Sequence, residues 1–246
     1  MIPFIGVLCW EEDSATGRLI GVNWNPKTFA FPIKVKRLKG LNYETVVKSP
    51  NEKTLRLLIK GAQEFEREGA GAISTDCGFN ALWQKELSEA VNVPVLTSGL
   101  LLVPLIQTMI GKNKKVAILT ADSRHLTYRH LMAAGISEEL VKNCIIVGLE
   151  NEPNFFNAAT SSGKNIKYLD DLAVKKIRNT LFDISKRLVE ENPNVRAIVL
   201  ECTDLPPFAE TIQSTTGIPV FDVVGLMKMV YQAIYIKSRL QKIGGH

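Results

Sequence analysis

The sequence predicts an α/β fold of two lobes related by a pseudo-twofold axis, each a mostly parallel sheet flanked by helices. Short apolar runs alternate with stretches of helical periodicity along the 246 residues, a pattern typical of parallel α/β sheets. In addition, residues 72–107 align with residues 197–232 without a gap, at an offset of 125 residues. Because ligands of such sheets bind beyond the carboxyl ends of the strands, we expect the active site in the cleft between the lobes.

The predicted elements follow the chain in order. Ile5–Leu8 reads as a buried first strand. Thr54–Glu68 carries apolar residues at the spacing of one helical face, and Gly69 is its stop. Further strands are predicted at residues 72–73, 93–96, 115–119, 144–147, 195–200 and 219–221, and further helices at residues 170–190 and 226–240.

The repeat places a cysteine at the same point of both copies. Cys77 aligns with Cys202, and the acidic residue before each, Asp76 or Glu201, aligns as well. Hydrophobic alignment would match any two strand–helix units, but it does not explain a cysteine at both strand-to-helix turns. We therefore predict a first lobe of residues 1–98 plus 216–246 and a second lobe of residues 99–215, with both thiols facing one cleft.

Net charge and the lengths of the apolar runs indicate which kinds of binding partner to expect. The net charge is +5 and the isoelectric point is about 9.0, but the charges are spread along the chain and no nucleic-acid recognition motif accompanies them. Such a field also favours a small anionic substrate. No apolar run reaches the roughly 18–20 residues that span a membrane, and "MIPFIGVLCW" lacks the pattern of a signal peptide. We expect no nucleic-acid partner, no membrane partner and a cytoplasmic location.

The four cysteines are widely spaced, with no CxxC pair. The three histidines, at positions 125, 130 and 246, do not cluster with them at metal-ligand spacing. This pattern predicts reduced thiols and no metal. Cys144 is expected in the core, and Cys9 either in the core or at the cleft.

Two facing thiols suit proton transfer at carbon. A cysteine between a strand and a helix lies near the positive end of the helix dipole, which favours thiolate. One base removes a proton from a stereocentre and the other returns one on the opposite face. Hydroxyls of Thr120, Ser123 and Thr203 are candidates for stabilising the carbanion, although each also suits a helix cap or turn.

Three segments resemble the aspartate/glutamate racemase superfamily. "LECTDLPPFAETIQSTTGIPVFD" resembles its second catalytic motif, "AISTDCGFNA" resembles the first, and "KKVAILTADSRHLTYRHLMAAGI" is similar to the strand and carboxylate-binding loop of its second lobe. The resemblance implies cofactor-independent racemisation or epimerisation of an amino acid or related carboxylate, with Cys77 and Cys202 as paired bases. It also implies a homodimer.

The sequence departs from the family where the substrate would bind. Gly78 and Phe79 stand where the family has Asn-Thr, Trp10 lies in a changed N-terminal loop, and Asp204 replaces Glu or His. These departures favour a substrate other than aspartate or glutamate, such as a hydantoin, a larger amino-acid derivative or a substituted dicarboxylate. The expected substrate-binding residues are Trp10, Gly78, Phe79, Asn80, Thr120, Ser123, Thr203 and Asp204.

Alternative functions remain open on the sequence. They are a maleate-isomerase-like cis–trans isomerase, a malonate-type decarboxylase, and a non-catalytic two-lobed protein that binds a carboxylate. The presence of both cysteines argues more against the decarboxylase, which needs one, than against the isomerase. His125 is either a surface or capping residue or an acid–base residue.

Overall fold

Eight parallel strands form two separate sheets in the computed structural model, which describes residues 2–161, 163 and 167–243, with the backbone alone from residue 236 onward. The strands are β1 Ile5–Cys9, β2 Ile33–Arg37, β3 Ala72–Thr75, β4 Val95–Leu96, β5 Lys115–Thr120, β6 Cys144–Gly148, β7 Val195–Leu200 and β8 Val220–Phe221. Their orders are β2-β1-β3-β4 and β6-β5-β7-β8. The same order in each sheet confirms the predicted two-lobed α/β fold class.

Helices cover the sheets. They are α1 Glu52–Arg67, α2 Gln84–Glu89, α3 Val103–Ile110, α4 Tyr128–Ala133, α5 Glu138–Val141, α6 Pro153–Thr160, α7 Asp171–Glu191, α8 Ala209–Thr216 and α9 Val223–Ile243. Short 3-10 turns lie at Pro26–Thr28, Gly78–Trp83, Gly99–Leu102 and Pro206–Phe208, and a π-helical turn at Glu44–Lys48.

The sequence signals of α1 act as expected. The Asn51 side chain accepts hydrogen bonds from the first-turn N–H groups, which satisfies donors that the helix itself leaves open. Leu58, Ala62 and Phe65 form the buried face. Gly69 follows with φ +85°, a conformation that favours glycine.

The strand registers reproduce the sequence repeat. Ile73 lies opposite Val95 in the first sheet, and Ile198 lies opposite Val220 in the second. These pairs differ by the same 125 residues as the two cysteines. The ungapped alignment therefore describes real structural equivalence between the two halves.

Strand burial follows sheet position. All five residues of β1 are buried, as expected for a central parallel strand covered on both faces. β2 lies at the edge, and its Lys36 bonds to Glu64 of α1 at 3.0 Å and to Glu68, directly after that helix, at 2.8 Å. The strand that carries Lys34, Lys36 and Arg37 is thus a parallel edge strand.

One predicted lobe boundary needs correction. The first lobe was expected to take up the chain from residue 216, but Val220–Phe221 pairs with β7 in the second sheet. α9, which follows from Val223, does contact β3 and β4 of the first sheet. The chain therefore returns to the first lobe only at α9. The terminal His246 lies outside the described residues.

The lobes are joined by more than the chain crossovers. The loop after β1 reaches the second lobe, where Ala15 N donates to Ala158 O at 3.1 Å and Leu169 N donates to Ala15 O at 3.2 Å. In the opposite direction, the Thr203 hydroxyl donates to Asp76 O. Within the described ranges, no helix is long and apolar enough to cross a membrane.

Candidate active site

A small cavity lies between the lobes, at the carboxyl ends of the central strands. The volume open to the centre of a water-sized sphere is about 30 Å³, which suits a compact molecule. Residues of both halves line it: Trp10, Glu12, Ser14, Trp24, Tyr43, Val47, Asp76, Cys77, Gly78, Phe79, Ala121, Ala159, Thr160, Glu201, Cys202, Thr203 and Asp204.

The two predicted thiols both line this cavity, at equivalent positions in the two lobes. Cys77 follows β3 and Cys202 follows β7, and their exposed fractions are 8% and 7%. In each case the backbone N–H two residues later, which belongs to Phe79 or Asp204, lowers the pKa of the thiol. The thiols are also close enough for charge on Cys77 to raise the pKa of Cys202. The repeat therefore led to the correct pair of neighbours.

The expected thiolate character does not hold. Burial raises the pKa of both thiols well above the ordinary value, and nearby carboxyl groups raise it further, chiefly Glu201 for Cys77 and Asp204 for Cys202. The backbone N–H groups offset only part of this effect. Desolvation outweighs the end of a short helix, so both thiols are neutral in the empty cavity.

Asp204 is the carboxyl group best placed to act on a thiol. Its Oδ2 accepts from the sulfur of Cys202 at 3.7 Å. Its Oδ1 accepts from Ser14 at 2.9 Å and from the Thr16 hydroxyl. Burial raises the pKa of Asp204 to about 6, although these hydrogen bonds lower it. Asp204 is therefore mostly ionised at neutral pH.

The residues that precede the thiols differ in their partners. Asp76 Oδ2 accepts from Trp10 N at 2.8 Å, and burial raises the pKa of this carboxyl to about 7. Neither oxygen of Glu201 meets a hydrogen-bond partner among the described residues. Burial raises the pKa of Glu201 to about 8, and the nearby Thr120 hydroxyl lowers it only in part.

Aromatic rings form much of the remaining wall. Trp10, Trp24, Tyr43 and Phe79 line the cavity, and the rings of Trp10 and Tyr43 pack edge to face with centroids 6.5 Å apart. The Tyr43 hydroxyl donates to Asp122 of the second lobe. Since a buried charge is stable only when paired, this bond helps fix the ring across the interface.

Asp122 itself belongs to a cluster behind the wall. Burial raises the pKa of this carboxyl, but hydrogen bonds from Arg124, Tyr43 and His125 more than offset that effect and hold the pKa low. His125 Nδ1 lies 2.8 Å from the Asp122 carboxylate and does not line the cavity. The arrangement identifies His125 as a partner of Asp122, not as an acid–base group of the cavity.

The structure places five of the eight predicted substrate-binding residues at the cavity and three away from it. Trp10, Gly78, Phe79, Thr203 and Asp204 line the cavity, whereas Asn80, Thr120 and Ser123 do not. Asn80 is buried in the 3-10 turn. The Thr120 hydroxyl accepts from Asp122 N at 3.4 Å, and Ser123 bonds to Glu150. The last two hydroxyls thus serve the loop after β5.

Several lining residues escaped the sequence reasoning. Ser14, Trp24, Tyr43, Val47 and Thr160 reach the cavity from segments outside the repeat. The spacing of apolar residues gives no signal for such irregular segments. The available signal was the position of Trp10 and Trp24, which follow the end of β1 closely.

The other two cysteines lie elsewhere. Cys9 is fully buried under the cavity floor beside Asp76, and burial raises its pKa well above the ordinary value. Cys144 is half-buried, in contact with the core, and burial raises its pKa to about 11. No group of three or more metal-ligating side chains occurs in the part of the chain that the structure describes.

A two-lobed α/β scaffold with paired thiols at the interlobe cavity is thus the arrangement that the comparisons with known proteins must match. The family model for Asp/Glu/hydantoin racemases matches residues 44–227, and the chain belongs to this family. It is 30% identical over 204 residues to a dimethylsulfoniopropionate lyase from Durusdinium sp. clade D, across 81% of this chain. The matched region spans 65% of that relative, less than two thirds of its length.

Solved structures share the fold. An aspartate racemase homologue from Pyrococcus horikoshii OT3 superposes with a TM-score of 0.57 at 17% identity, covering 95% of this chain and 99% of that one. Unliganded arylmalonate decarboxylase gives a TM-score of 0.54 at 17% identity, covering 99% and 94%. Racemase and decarboxylase names thus both occur on this scaffold, so the fold alone leaves the reaction open.

Proposed function

We propose that the protein is a lyase that removes a proton next to a carboxylate and expels a sulfide from the adjacent carbon of a sulfonium substrate. One observation carries the proposal: aromatic rings and carboxyl groups line the cavity, while no lysine, arginine or histidine occurs among the described lining residues. A site for a purely anionic substrate would have the opposite charge. The substrate that fits carries a cation beside its carboxylate.

The aromatic wall supports a compact onium group. Tryptophan and tyrosine faces attract cations, most strongly where water is excluded. Trp10, Trp24 and Tyr43 supply such rings, and Asp204 adds negative charge. A dimethylsulfonium group is a soft cation with methyl groups, so it gains from both the rings and the charge.

Cys202 is the base in this proposal. Its thiol lies against Asp204, whose carboxylate accepts the sulfur-bound hydrogen. The arrival of a cation lowers the pKa of a nearby thiol, so the thiolate forms when the cationic substrate is bound. In the empty cavity the same thiol stays protonated and unreactive.

The reaction then balances without a redox partner. The Cys202 thiolate takes the proton from the carbon next to the carboxylate, and the electron pair of that C–H bond forms the carbon–carbon double bond. The C–S bond breaks with its electrons passing to sulfur, which leaves as neutral dimethyl sulfide. The other product is acrylate, and the proton on Cys202 returns to solvent through Asp204.

The relatives support the choice of substrate. The molecule in the name of the Durusdinium relative, dimethylsulfoniopropionate, contains a carboxylate and a sulfonium on the second carbon from it. The sulfonium is the cation that the aromatic rings and Asp204 attract, and the carboxylate lies next to the carbon that loses its proton.

A racemase or epimerase is the second candidate, and the equivalent placement of Cys77 and Cys202 at one cavity favours it. In that reaction both thiols exchange protons with one stereocentre, and both are indispensable. In the elimination the sulfide leaves without a proton, so only one thiol must act as a base.

The decisive experiment offers dimethylsulfoniopropionate to the purified protein. Headspace gas chromatography measures dimethyl sulfide, and proton NMR measures acrylate. We expect equal amounts of both products, a loss of about 10²–10⁴-fold in Cys202→Ala, and full activity in Cys144→Ala, whose thiol lies outside the cavity. Absence of dimethyl sulfide, together with solvent deuterium entering a chiral carboxylate with inversion, would replace the lyase with the racemase.

A further inference from the structure

Glu201 is a buried carboxyl group without a described partner, at a cavity that must receive a carboxylate. Its side chain is fully buried and lines the cavity, and neither carboxyl oxygen has a hydrogen-bond partner among the described residues. Leaving an ionised carboxylate in such a place is costly. The neutral acid costs far less and supplies one O–H donor.

The cavity needs a donor of this kind. A substrate carboxylate cannot pair with a cation there, because the described lining contains none. Its lining carboxyl groups repel it when ionised and bind it only when protonated. Of these groups, Asp204 is stabilised as an anion by Ser14 and Thr16, and Asp76 accepts from Trp10 N. Neither oxygen of the fully buried Glu201 accepts a hydrogen bond of this kind from the described residues, and only the nearby Thr120 hydroxyl lowers its pKa.

Gly78 makes the position of Glu201 possible. A Cβ atom on residue 78 would overlap both the backbone oxygen and Oε1 of Glu201. The carboxyl group therefore occupies the space that any side chain at position 78 would need. This brings Glu201 of the second lobe against the turn that carries Cys77 of the first.

We propose that Glu201 is held as a neutral carboxylic acid and donates a hydrogen bond to the substrate carboxylate, on which negative charge grows as the neighbouring carbon loses its proton. The proposal rests on the function proposed above. In this proposal Glu201 binds the carboxylate end of the substrate, whereas the aromatic rings bind its cationic end. A donor aimed at developing charge stabilises the transition state more than the ground state.

The surroundings of Glu201 agree with the neutral form. Burial raises its pKa to about 8, the Thr120 hydroxyl at the end of β5 lowers it, and the charge of Asp204 raises it. Cys77 faces it from the first lobe, where the charge of Glu201 raises the pKa of that thiol. Cys202 follows it in the chain, and no basic side chain acts on it in the described structure.

The first test measures binding and needs no turnover. The probe is 3-(trimethylammonio)propanoate, an unreactive analogue with both charges, and calorimetry follows its affinity from pH 6 to pH 10. We expect the affinity to fall by about tenfold per pH unit above the pKa of Glu201. Glu201→Gln, which keeps a neutral donor, should remove this fall. Asp76→Asn, the equivalent change in the first lobe, should keep it.

A second probe isolates the carboxylate. Tetramethylammonium has the cation alone, so its affinity should not fall with rising pH. A wild-type affinity for the zwitterion that is independent of pH would overturn the proposal. So would a fall that survives in Glu201→Gln but disappears in Asp76→Asn.

The second test measures the elimination. Glu201→Ala should lower kcat/KM by about 10²–10³-fold, whereas Glu201→Gln should retain activity within about tenfold of wild type. Wild type should lose activity at alkaline pH, and Glu201→Gln should not. Circular dichroism checks that both variants fold. Equal losses in folded Ala and Gln variants would overturn the neutral-donor role. If no substrate is eliminated, the binding test still decides the role of Glu201.

Discussion

The sulfur of Cys202 donates to Oδ2 of Asp204 at 3.7 Å, and the other oxygen of that carboxylate is held by two hydroxyls from the opposite lobe. The base and the group that receives its proton thus sit on one turn, while residues of the first lobe fix their orientation. Cys77 has no equivalent, because the residue two positions later is Phe79. The equivalent thiols therefore stand in unequal electrostatic surroundings.

Replacing Asp204 by Asn should lower kcat/KM for elimination by about 10²-fold, because the thiol loses its proton acceptor. Activity of the wild type should rise as pH increases through about 6, where Asp204 ionises, and this rise should vanish in the variant. Steady-state rates from pH 5 to pH 9 check both. Asp222→Asn, at a largely buried aspartate away from the cavity, is the control, and an unchanged acid limb in Asp204→Asn would contradict the assignment.

Trp24→Leu should weaken binding of a carboxylate ligand with a cationic head group while sparing the isostere whose head group is uncharged. Loss of one cation–ring contact costs about 0.5–2 kcal/mol. Calorimetry with 3-(trimethylammonio)propanoate and with 4,4-dimethylpentanoate, which replaces nitrogen by carbon, separates charge from shape. Trp24→Phe keeps a ring but loses the indole bond to Asp13, so it should retain the preference for the cation. Equal weakening for both ligands in the Leu variant would mean that the ring acts through shape alone.

Gly78→Ala should disable the protein more than a methyl group ordinarily does, since the new Cβ overlaps Glu201. Gly78→Ala/Glu201→Gly relieves the overlap with Oε1 but not the overlap with the backbone oxygen, so it should recover only a small part of the lost stability and none of the activity. Thermal denaturation of both single variants and the double variant gives the coupling, which contacting residues show at about 0.5–3 kcal/mol. Additive losses would indicate that the two positions do not compete for space.

Stability should depend on pH through Glu201. In the unfolded chain this group ionises near its ordinary value of 4.5, whereas in the folded protein burial raises its pKa to about 8. Between these values folding binds a proton, so wild-type stability should fall as pH rises through that window. Glu201→Gln should be more stable than wild type at pH 8, and the difference should shrink toward pH 5. Melting temperatures across this range provide the check, and a constant difference would be the contrary result.

Much of the fold could be predicted from the sequence, because the spacing of apolar residues indicates which side chains are buried. The two cysteines and the Ile73 and Ile198 registers share one offset, so a single alignment predicted both sheets and the pairing of the thiols. The strand at residues 219–221 was predicted, but the lobe boundary was misplaced because a strand of only two residues carries no signal for the sheet it joins. A strand of that length is defined by its neighbour β7 and not by its own sequence.

The site was readable only where it belongs to the repeat. Trp24 and Tyr43 reach the cavity from irregular segments, whose path depends on contacts distant in sequence such as the bond from Tyr43 to Asp122. The charge state of the thiols was also misjudged. The effect of a helix dipole can be predicted from the adjacent sequence. The desolvation that raises the pKa of Cys77 and Cys202 arises instead from the interface between the two lobes, which the local sequence does not indicate.

The bond from Ser14 to Asp204 joins residues 190 positions apart, and this has a consequence for biosynthesis. The first lobe's strands β1 to β4 leave the ribosome well before residue 204 exists, and domains tend to fold as they emerge. The loop that carries Ser14 and Thr16 must then wait for the second lobe. A nascent chain therefore has one thiol in place and no base, so the reactive cavity is completed only after residue 204 has been made.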